Sequence, residues 1–268
     1  MVCLTKLFVF LSPMLSKSQI KVFSSLKSKK FRQKYGLFLV EGKKSVQELL
    51  KSDYEVSALL FYADPEDLSH NLGSEVHVYS QCGPFFKSIS SFLSLPEVIA
   101  VAKIKKPVPQ YTNPEVFSFP PITLYLDQVQ DPGNLGTIMR NALWYGVRRI
   151  FLGPGCADPY NPKVIQSSMG AFTQVHCIHV LPDLWLNFAR KKQIAIIGAD
   201  LEGQSIHDFT IKGSCIVVLG NEGSGISKEV QPFLSHQITI PGSGLMESLN
   251  VAVASAIILD NWYRIHGM

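Results

Sequence analysis

The sequence is poor in the features that would assign a chain to a simple class. Its five cysteines, Cys3, Cys82, Cys156, Cys177 and Cys215, contain no CxxC pair, and their number is odd. That pattern fits reduced thiols in a cytoplasmic protein better than a disulfide framework. His176-Cys177-Ile178-His179 lacks a second ligand pair, and alternation along a strand accounts for it, so no metal is expected. Charge of one sign is also missing. Lys and Arg number 25 against 21 Asp and Glu, for a net +4. A nucleic-acid reading must therefore rest on where the charges sit. Ser248–Leu259, the longest charge-free apolar stretch near the C terminus, falls well short of the roughly 18 residues a bilayer span needs, so no membrane is expected. Leu7–Leu11 follows Lys6 but is broken by Ser12-Pro13 and lacks a small-residue cleavage site. Residues 1–13 therefore read as a loose tail or an upstream start ahead of Met14, with weak organelle targeting as the alternative. No GxGxxG, GK[ST] or GxSxG occurs, and none of the seven histidines makes a local nucleophile–base signature.

What is present is a hydrophobic share of 46%, enough for a packed core and too much for a disordered chain. Pro107, Pro109, Pro114, Pro120 and Pro121 crowd the segment 105–121. Prolines at that density forbid a continuous helix or a central strand, and the segment reads as a semi-rigid linker between domains at 14–104 and 122–268. The first region opens with Ser16 and Gln19 in capping-box spacing. It continues as a small α/β module with strands at 37–40, 58–62, 76–79 and 98–101 and a helix carrying Val46, Leu49 and Leu50. Its charge is lopsided. Lys17, Lys21, Lys27, Lys29, Lys30, Arg32, Lys34, Lys43, Lys44 and Lys51 face only Glu41 and Glu48 over the same interval. A run of charge can be no more than a solvated face, but Phe23, Phe31 and Tyr35 interleave with these bases. Aromatic rings among cations favour contact with RNA.

The second region alternates apolar strands (122–126, 149–152, 194–199, 215–219 and 237–240) with amphipathic helices (135–145, 162–168, 184–191, 227–234 and 249–264). That alternation predicts a mostly parallel sheet covered on both faces, with ligands bound beyond the carboxyl ends of its strands. Three loops there are chemically unusual. In Asp131-Pro132-Gly133-Asn134-Leu135-Gly136, Asn134 suits a helix cap and Gly133 a turn. The helix that follows carries Arg140 among Ile138, Met139, Ala142 and Leu143. An arginine on so apolar a helix needs a carboxylate, a phosphate or a functional task. In Leu219-Gly220-Asn221-Glu222-Gly223-Ser224-Gly225, the glycines let the backbone approach a ligand, while Glu222 would repel a phosphate and suits a hydroxylated or cationic one. The third loop runs from Ile240-Pro241-Gly242 to Ser248-Leu249-Asn250-Val251, where capping accounts for Ser248 but not for Asn250.

Together these loops resemble the three signature motifs of the SpoU (TrmH-type) branch of the SPOUT RNA ribose 2′-O-methyltransferases. Asp158–Lys163 and Ser168-Met169-Gly170-Ala171 are similar to segments between those motifs, and Gly242 stands where relatives carry an apolar residue. Lys29-Lys30-Phe31-Arg32 and Phe38–Gly42 resemble the family's N-terminal L30e-like substrate-binding domain. The resemblance implies a SPOUT-type α/β domain with a C-terminal trefoil knot, S-adenosylmethionine as cofactor, a homodimer, and an RNA substrate. Ribosomal RNA is favoured over tRNA as that substrate. It implies that Leu219, Gly220, Asn221, Gly223, Ile240 and Leu249 hold the cofactor. Arg140 would activate the ribose hydroxyl, with Asn134, Glu222, Ser248 and Asn250 shaping the site. Lys29, Lys30, Arg32, Lys34 and Lys43 would contact RNA. A tRNA methyltransferase, a non-catalytic ribosome-assembly protein on the same fold and a generic nucleotide-binding enzyme are the alternatives.

Overall fold

The computed structural model describes residues 14–64, 76–106, 113–210 and 213–267, so the expected N-terminal tail and residues 107–112 of the expected linker lie outside it. The chain divides into two compact units, Met1–Lys105 with Tyr160–Gln166, and Lys106–Pro159 with Ser167–Met268.

In the first unit, helices α1 (Lys17–Ser25) and α2 (Lys29–Tyr35) precede β1 (Leu37–Glu41), α3 (Lys43–Leu50), β2 (Val56–Phe61), β3 (His77–Tyr79), α4 (Gly83–Ile89) and β4 (Val98–Lys103). The expected capping box is present. Ser16 Oγ accepts from the Gln19 amide at 3.3 Å, and Gln19 Oε1 accepts from the Ser16 amide at 3.0 Å. The sheet runs β1-β4-β2-β3, with β1 and β2 both antiparallel to β4. Phe23, Leu26, Leu39, Leu60, Phe86 and Ile99 form its core. Phe23 is thus a core residue and not an exposed ring among the cations.

Arg32 also departs from the sequence reading. It is only 2% exposed, and its guanidinium donates to the carbonyls of Leu26 at 2.9 Å and Lys27 at 2.8 Å. Where α1 ends, those carbonyls have lost the helical donors they would otherwise meet, and the buried fork replaces them. Arg32 is therefore a structural tie that faces no RNA, whereas Lys29, Lys30, Lys34 and Lys43 are exposed. Arg32→Ala should cost about 2–4 kcal/mol by stranding one buried and one partly buried acceptor. Lys30→Ala should stay within about 0.5 kcal/mol. Urea titration of the two variants checks the difference.

The second unit contains β5 (Ile122–Leu126), α5 (Pro132–Trp144), β6 (Arg149–Leu152), β7 (His176–His179), α7 (Pro182–Lys191), β8 (Ala195–Ser205), β9 (Cys215–Leu219), β10 (His236–Thr239) and α8 (Val251–His266). Helix α6 (Pro162–Ser167) begins within the segment grouped with the first unit. The six strands pair in the order β10-β8-β9-β5-β6-β7, every pair parallel. This is the parallel α/β sheet expected from the alternation. Every residue of β5 and β9 is buried, and Phe117, Tyr125, Phe151, Trp185 and Ile216 build a core on one face.

The pairing of β10 with β8 is broken. Gln237 stands opposite Gly198, but Ile238 stands opposite Gln204, so residues 199–203 are skipped. Gly203 lies so close to β10 that a Cβ there would meet the Ile238 backbone at 2.5 Å. The described part of the expected linker behaves as part of this unit. Pro114–Val116 form a 3₁₀ turn, Phe117 packs against Phe151 and Trp185, and Arg149 donates to Ser118 O at 2.9 Å. Aromatic burial overrides the extended preference of the prolines. The helix expected at 227–234 does not form. Pro232 has no amide to continue it, and only a 3₁₀ turn at Gln231–Phe233 remains. No helix among the described residues is long and apolar enough to cross a membrane.

Candidate active site

Strand order reverses at β5. The chain moves outward through β6 and β7, then returns on the other side as β8, with β9 following between β8 and β5. The loops leaving the carboxyl ends of β5 and β9 therefore diverge and leave a crevice, the usual ligand position in such sheets. The unusual loops of the sequence lie there.

The first loop leaves β5 at Asp127, which is 2% exposed and accepts from the Ser227 amide at 2.6 Å. Its own amide donates to Leu219 O at 2.9 Å. Gln128 follows with a positive φ of 58°, unusual for a residue with a side chain, and its carbonyl accepts from Asn221 Nδ2 at 2.9 Å. Asp131, and not Asn134, caps α5; its carboxylate accepts from the Asn134 amide at 2.8 Å, with Pro132 opening the helix. The cap leaves the Asn134 side chain free for another task.

The second loop leaves β9 at Gly220. Asn221 and Gly225 exchange backbone hydrogen bonds at 2.9 and 3.0 Å, and Asn221 Oδ1 accepts from the amides of Gly223 and Ser224. Glu222 is thereby carried at the tip of a tight turn. The third loop, Pro241–Asn250, is exposed throughout. It ends where Asn250, and not Ser248, caps α8: Asn250 Oδ1 accepts from the amides of Ala252 at 2.9 Å and Val253 at 3.3 Å.

The three loops meet through side chains. Asn134 Nδ2 donates to Glu222 Oε1 at 2.6 Å, and Asn250 Nδ2 donates to Asn134 Oδ1 at 3.0 Å. The first is a charge-assisted bond, stronger than its neutral counterpart. The chain fixes each amide's orientation, because Asn250 already spends its oxygen on α8 and Asn134 must then turn its NH₂ toward the carboxylate. Glu222 Oε2 has no partner among the described residues and remains available to a ligand.

The remaining expected site residues are placed as follows. Arg140 lies on α5, exposed, with no hydrogen bond or ion pair among the described residues. Ser248 is exposed and without a side-chain hydrogen bond. Leu219 is 1% exposed, and its carbonyl accepts from the Asp127 amide. Gly220 and Ile240 are half-buried, while Gly223 and Leu249 are exposed. Two residues, Asp127 and Gln128, escaped the sequence reading of the site, while Asn141 belongs to the first motif together with Arg140. Asp127 ties the first loop to the second, Gln128 receives Asn221, and Asn141 joins α5 to α8 by donating to Ala252 O at 2.8 Å and Ser255 Oγ at 3.0 Å. A carboxylate directly following a largely apolar strand was the one available signal for Asp127.

The cluster has features that suit an adenosine-bearing cofactor. Among the described residues, no backbone group from Pro241 to Leu249 enters a backbone hydrogen bond. Such a loop can offer amides and carbonyls to an adenine edge and to ribose hydroxyls. The thiols do not compete as nucleophiles, since burial pushes Cys82 and Cys156 up to about 11 and both stay protonated at neutral pH.

Comparison with known proteins agrees with this geometry. Residues 121–260 match the SpoU rRNA Methylase family, and residues 17–100 match the MRM3-like substrate binding domain. The 23S rRNA (guanosine(2553)-2′-O)-methyltransferase RlmP of Bacillus subtilis is 28% identical over 93% of this chain and 96% of its own length. A solved structure of a TrmH-family protein from Porphyromonas gingivalis is 38% identical, with a TM-score of 0.84 over 94% of this chain and all of that one. The SpoU methyltransferase AviRb of Streptomyces viridochromogenes, solved in complex with AdoMet, shares the fold with a TM-score of 0.81 at 22% identity, over 94% of this chain and all of that one. With its parallel sheet, its crevice at β5 and β9 and three linked loops in that crevice, the chain belongs to the SpoU rRNA methylase family.

Proposed function

We propose that the chain is an S-adenosylmethionine-dependent RNA ribose 2′-O-methyltransferase acting on large-subunit ribosomal RNA. The observation that carries this is the Asn134–Glu222–Asn250 chain of hydrogen bonds across three loops, with Arg140 left unpartnered on the helix that bears Asn134. The name of RlmP, which specifies guanosine 2′-O-methylation in 23S rRNA, supports the reaction and the substrate class.

S-Adenosylmethionine, when bound, supplies an electrophilic sulfonium methyl. The protein's part is to align a ribose 2′-hydroxyl and ease the loss of its proton. Alignment of this kind can lower a barrier by up to about 7–11 kcal/mol. The exposed backbone of residues 241–249, with Gly220, Asn221, Gly223 and the backbone of Leu219, would hold the cofactor. Glu222 Oε2 can accept from a hydroxyl or an amino group, while Asn134 keeps the carboxylate turned toward the crevice. Arg140 is the hydroxyl activator. A free guanidinium keeps its proton through the physiological range, so its strength lies in neutralising the charge that builds on the 2′-oxygen as the proton leaves to water. Its planar fork can hold the neighbouring RNA phosphate at the same time. Ser248, at the exposed end of the third loop, would contact the RNA or the cofactor. Lys29, Lys30, Lys34 and Lys43 would meet RNA phosphates from the N-terminal unit.

A homodimer and a C-terminal knot belong to the same reading. Trp144 (82% exposed), Met246 (81%) and Val253 (49%) leave apolar surface open on α5, α8 and the third loop, which favours self-association. Four described thiols, all free, fit the reducing cytoplasm.

The test is transfer of labelled methyl from S-adenosylmethionine to unmodified large-subunit rRNA and, separately, to total tRNA, followed by 2′-O-methyl mapping. One methylated ribose in the rRNA is the expected result. Transfer to tRNA alone would reverse the substrate assignment, and neither transfer nor cofactor binding would refute the enzyme reading.

A further inference from the structure

The N-terminal unit contains a cavity of about 450 Å³. It lies where β1 and β2 end and β4 begins, at one end of the small sheet, and Lys43, Tyr62, Asp64, Leu95 and Glu97 are among its lining residues. Its size falls within the range of about 300–1,000 Å³ usual for small-molecule sites.

The chemistry of the lining is selective. Six acidic residues are described in this unit. Glu41 accepts from Ser90 and Ser91, and Glu48, Asp53 and Glu55 pair with Lys51, Lys105 and Lys103. The two left without a side-chain partner among the described residues, Asp64 and Glu97, both line the cavity. Both are exposed, and at one cavity they offer acceptors to an external donor. Lys43 is likewise exposed and unpartnered. The Tyr62 ring is 47% exposed. It is held edge-on to Phe86 at 5.6 Å, and a Cβ on Gly83 would meet it at 3.1 Å, so Gly83 makes room for it.

The walls are tied down. The Tyr62 amide donates to Glu97 O at 2.8 Å, and the Gln81 and Gly83 amides donate to Ala63 O and Tyr62 O. Buried Glu41 holds the start of the loop that carries Leu95 and Glu97, accepting from Ser90 Oγ at 2.5 Å and the Ser91 amide at 3.1 Å. A preformed cavity of this kind binds without first having to order itself.

An exposed aromatic face suits a planar ring, unpaired carboxylates accept from N–H groups, and a lysine takes a phosphate. A nucleotide unstacked from RNA offers all three. Guanine fits best, because its imino and amino N–H groups lie side by side and one carboxylate can accept both. Uracil presents two carbonyls and a single N–H, and its carbonyls would face the carboxylates. We propose that this cavity captures one unstacked nucleotide of the RNA substrate, with guanine preferred: Tyr62 stacks on the base, Asp64 and Glu97 read its edge, and Lys43 holds its phosphate. The proposal rests on the RNA-methyltransferase reading and adds a specificity site to it.

The test uses the full chain with two readouts. The first is saturation-transfer NMR with GMP and UMP, where GMP should bind in preference and Asp64→Asn/Glu97→Gln should erase the preference. These acids are exposed, so the double variant should keep the wild-type melting temperature. The second is methyl transfer to unmodified rRNA. Tyr62→Ala should raise KM for RNA about tenfold with kcat at saturating RNA unchanged, and Tyr62→Phe should restore KM. Equal binding of GMP and UMP by the wild type, no binding of either, or an unchanged KM in Tyr62→Ala would overturn the proposal. Selective GMP binding in a wild-type chain that neither methylates RNA nor binds S-adenosylmethionine would instead uphold the cavity and refute the enzyme reading.

Discussion

Arg140→Lys is expected to lower methyl transfer by at least about 10²-fold while leaving S-adenosylmethionine binding and stability at wild-type levels. The expectation follows from what surrounds the residue. Arg140 is exposed and makes no hydrogen bond or ion pair among the described residues, so no folded-state contact is lost on substitution. A surface change of that kind moves stability by no more than about 0.5 kcal/mol. Lysine keeps the charge but loses the planar fork that could hold a ribose oxygen and a phosphate together. Single-turnover transfer with saturating RNA, beside calorimetric titration of the cofactor, separates the chemical step from binding. Wild-type turnover in this variant would remove Arg140 from the mechanism.

Gly220→Ala should abolish cofactor binding as well as transfer. A Cβ at Gly220 would stand 2.4 Å from the carbonyl carbon of Gly225 and 2.6 Å from the amide of Ile226, all of it backbone that cannot swing aside. To admit the methyl group, the paired Asn221–Gly225 turn must open. That turn carries Glu222 to Asn134, so the loops would separate. Overpacking of this kind costs about 1–3 kcal/mol, and a displacement of about 1 Å at a reacting centre can cost about 10²-fold in rate. Both losses should appear together, as a lowered melting temperature and the disappearance of the cofactor's binding heat. Gly223→Ala is the control: its Cβ would find only Asn221 Oδ1, at 3.6 Å, so it should fold as the wild type does.

Much of the secondary structure was legible because it depends on local terms. The capping box of α1, the apolar runs of β5 and β9 and the periodicity of α8 can each be read from a few neighbouring residues. The failures also have local explanations, but ones decided by distant partners. Ser248 and Asn250 are both acceptable helix caps. Asn250 takes the position because its amide can also reach Asn134. The segment anticipated as a helix at 227–234 keeps only a 3₁₀ turn at Gln231–Phe233, and its start is tied by the Ser227 amide to Asp127, 100 residues earlier in the chain. Arg32 sits in a run of lysines and looked like one more surface cation. Only the end of α1 packing over it turned the side chain inward to the carbonyls of Leu26 and Lys27. Phe117 and Phe119 lie in a proline-rich stretch that reads as a spacer, yet both pack with Phe151, because a buried aromatic ring outweighs the preference for an extended backbone.

The sequence by itself determined the alternation that makes a parallel sheet and the residue types in three polar, glycine-bearing loops. It also determined the concentration of positive charge in the first hundred residues. Hydrophobic period and turn chemistry act over a few residues, so they survive in the linear chain. The tertiary structure alone decided that Asn134 meets Glu222 across 88 positions and Asn250 across 116, that Asp64 and Glu97 are the acids left unpaired at a cavity, and that one arginine of a basic cluster is core. Those outcomes depend on strand order and burial. The reversal at β5 brings distant loops to one crevice, and packing then determines which polar groups satisfy one another and which remain free for a ligand.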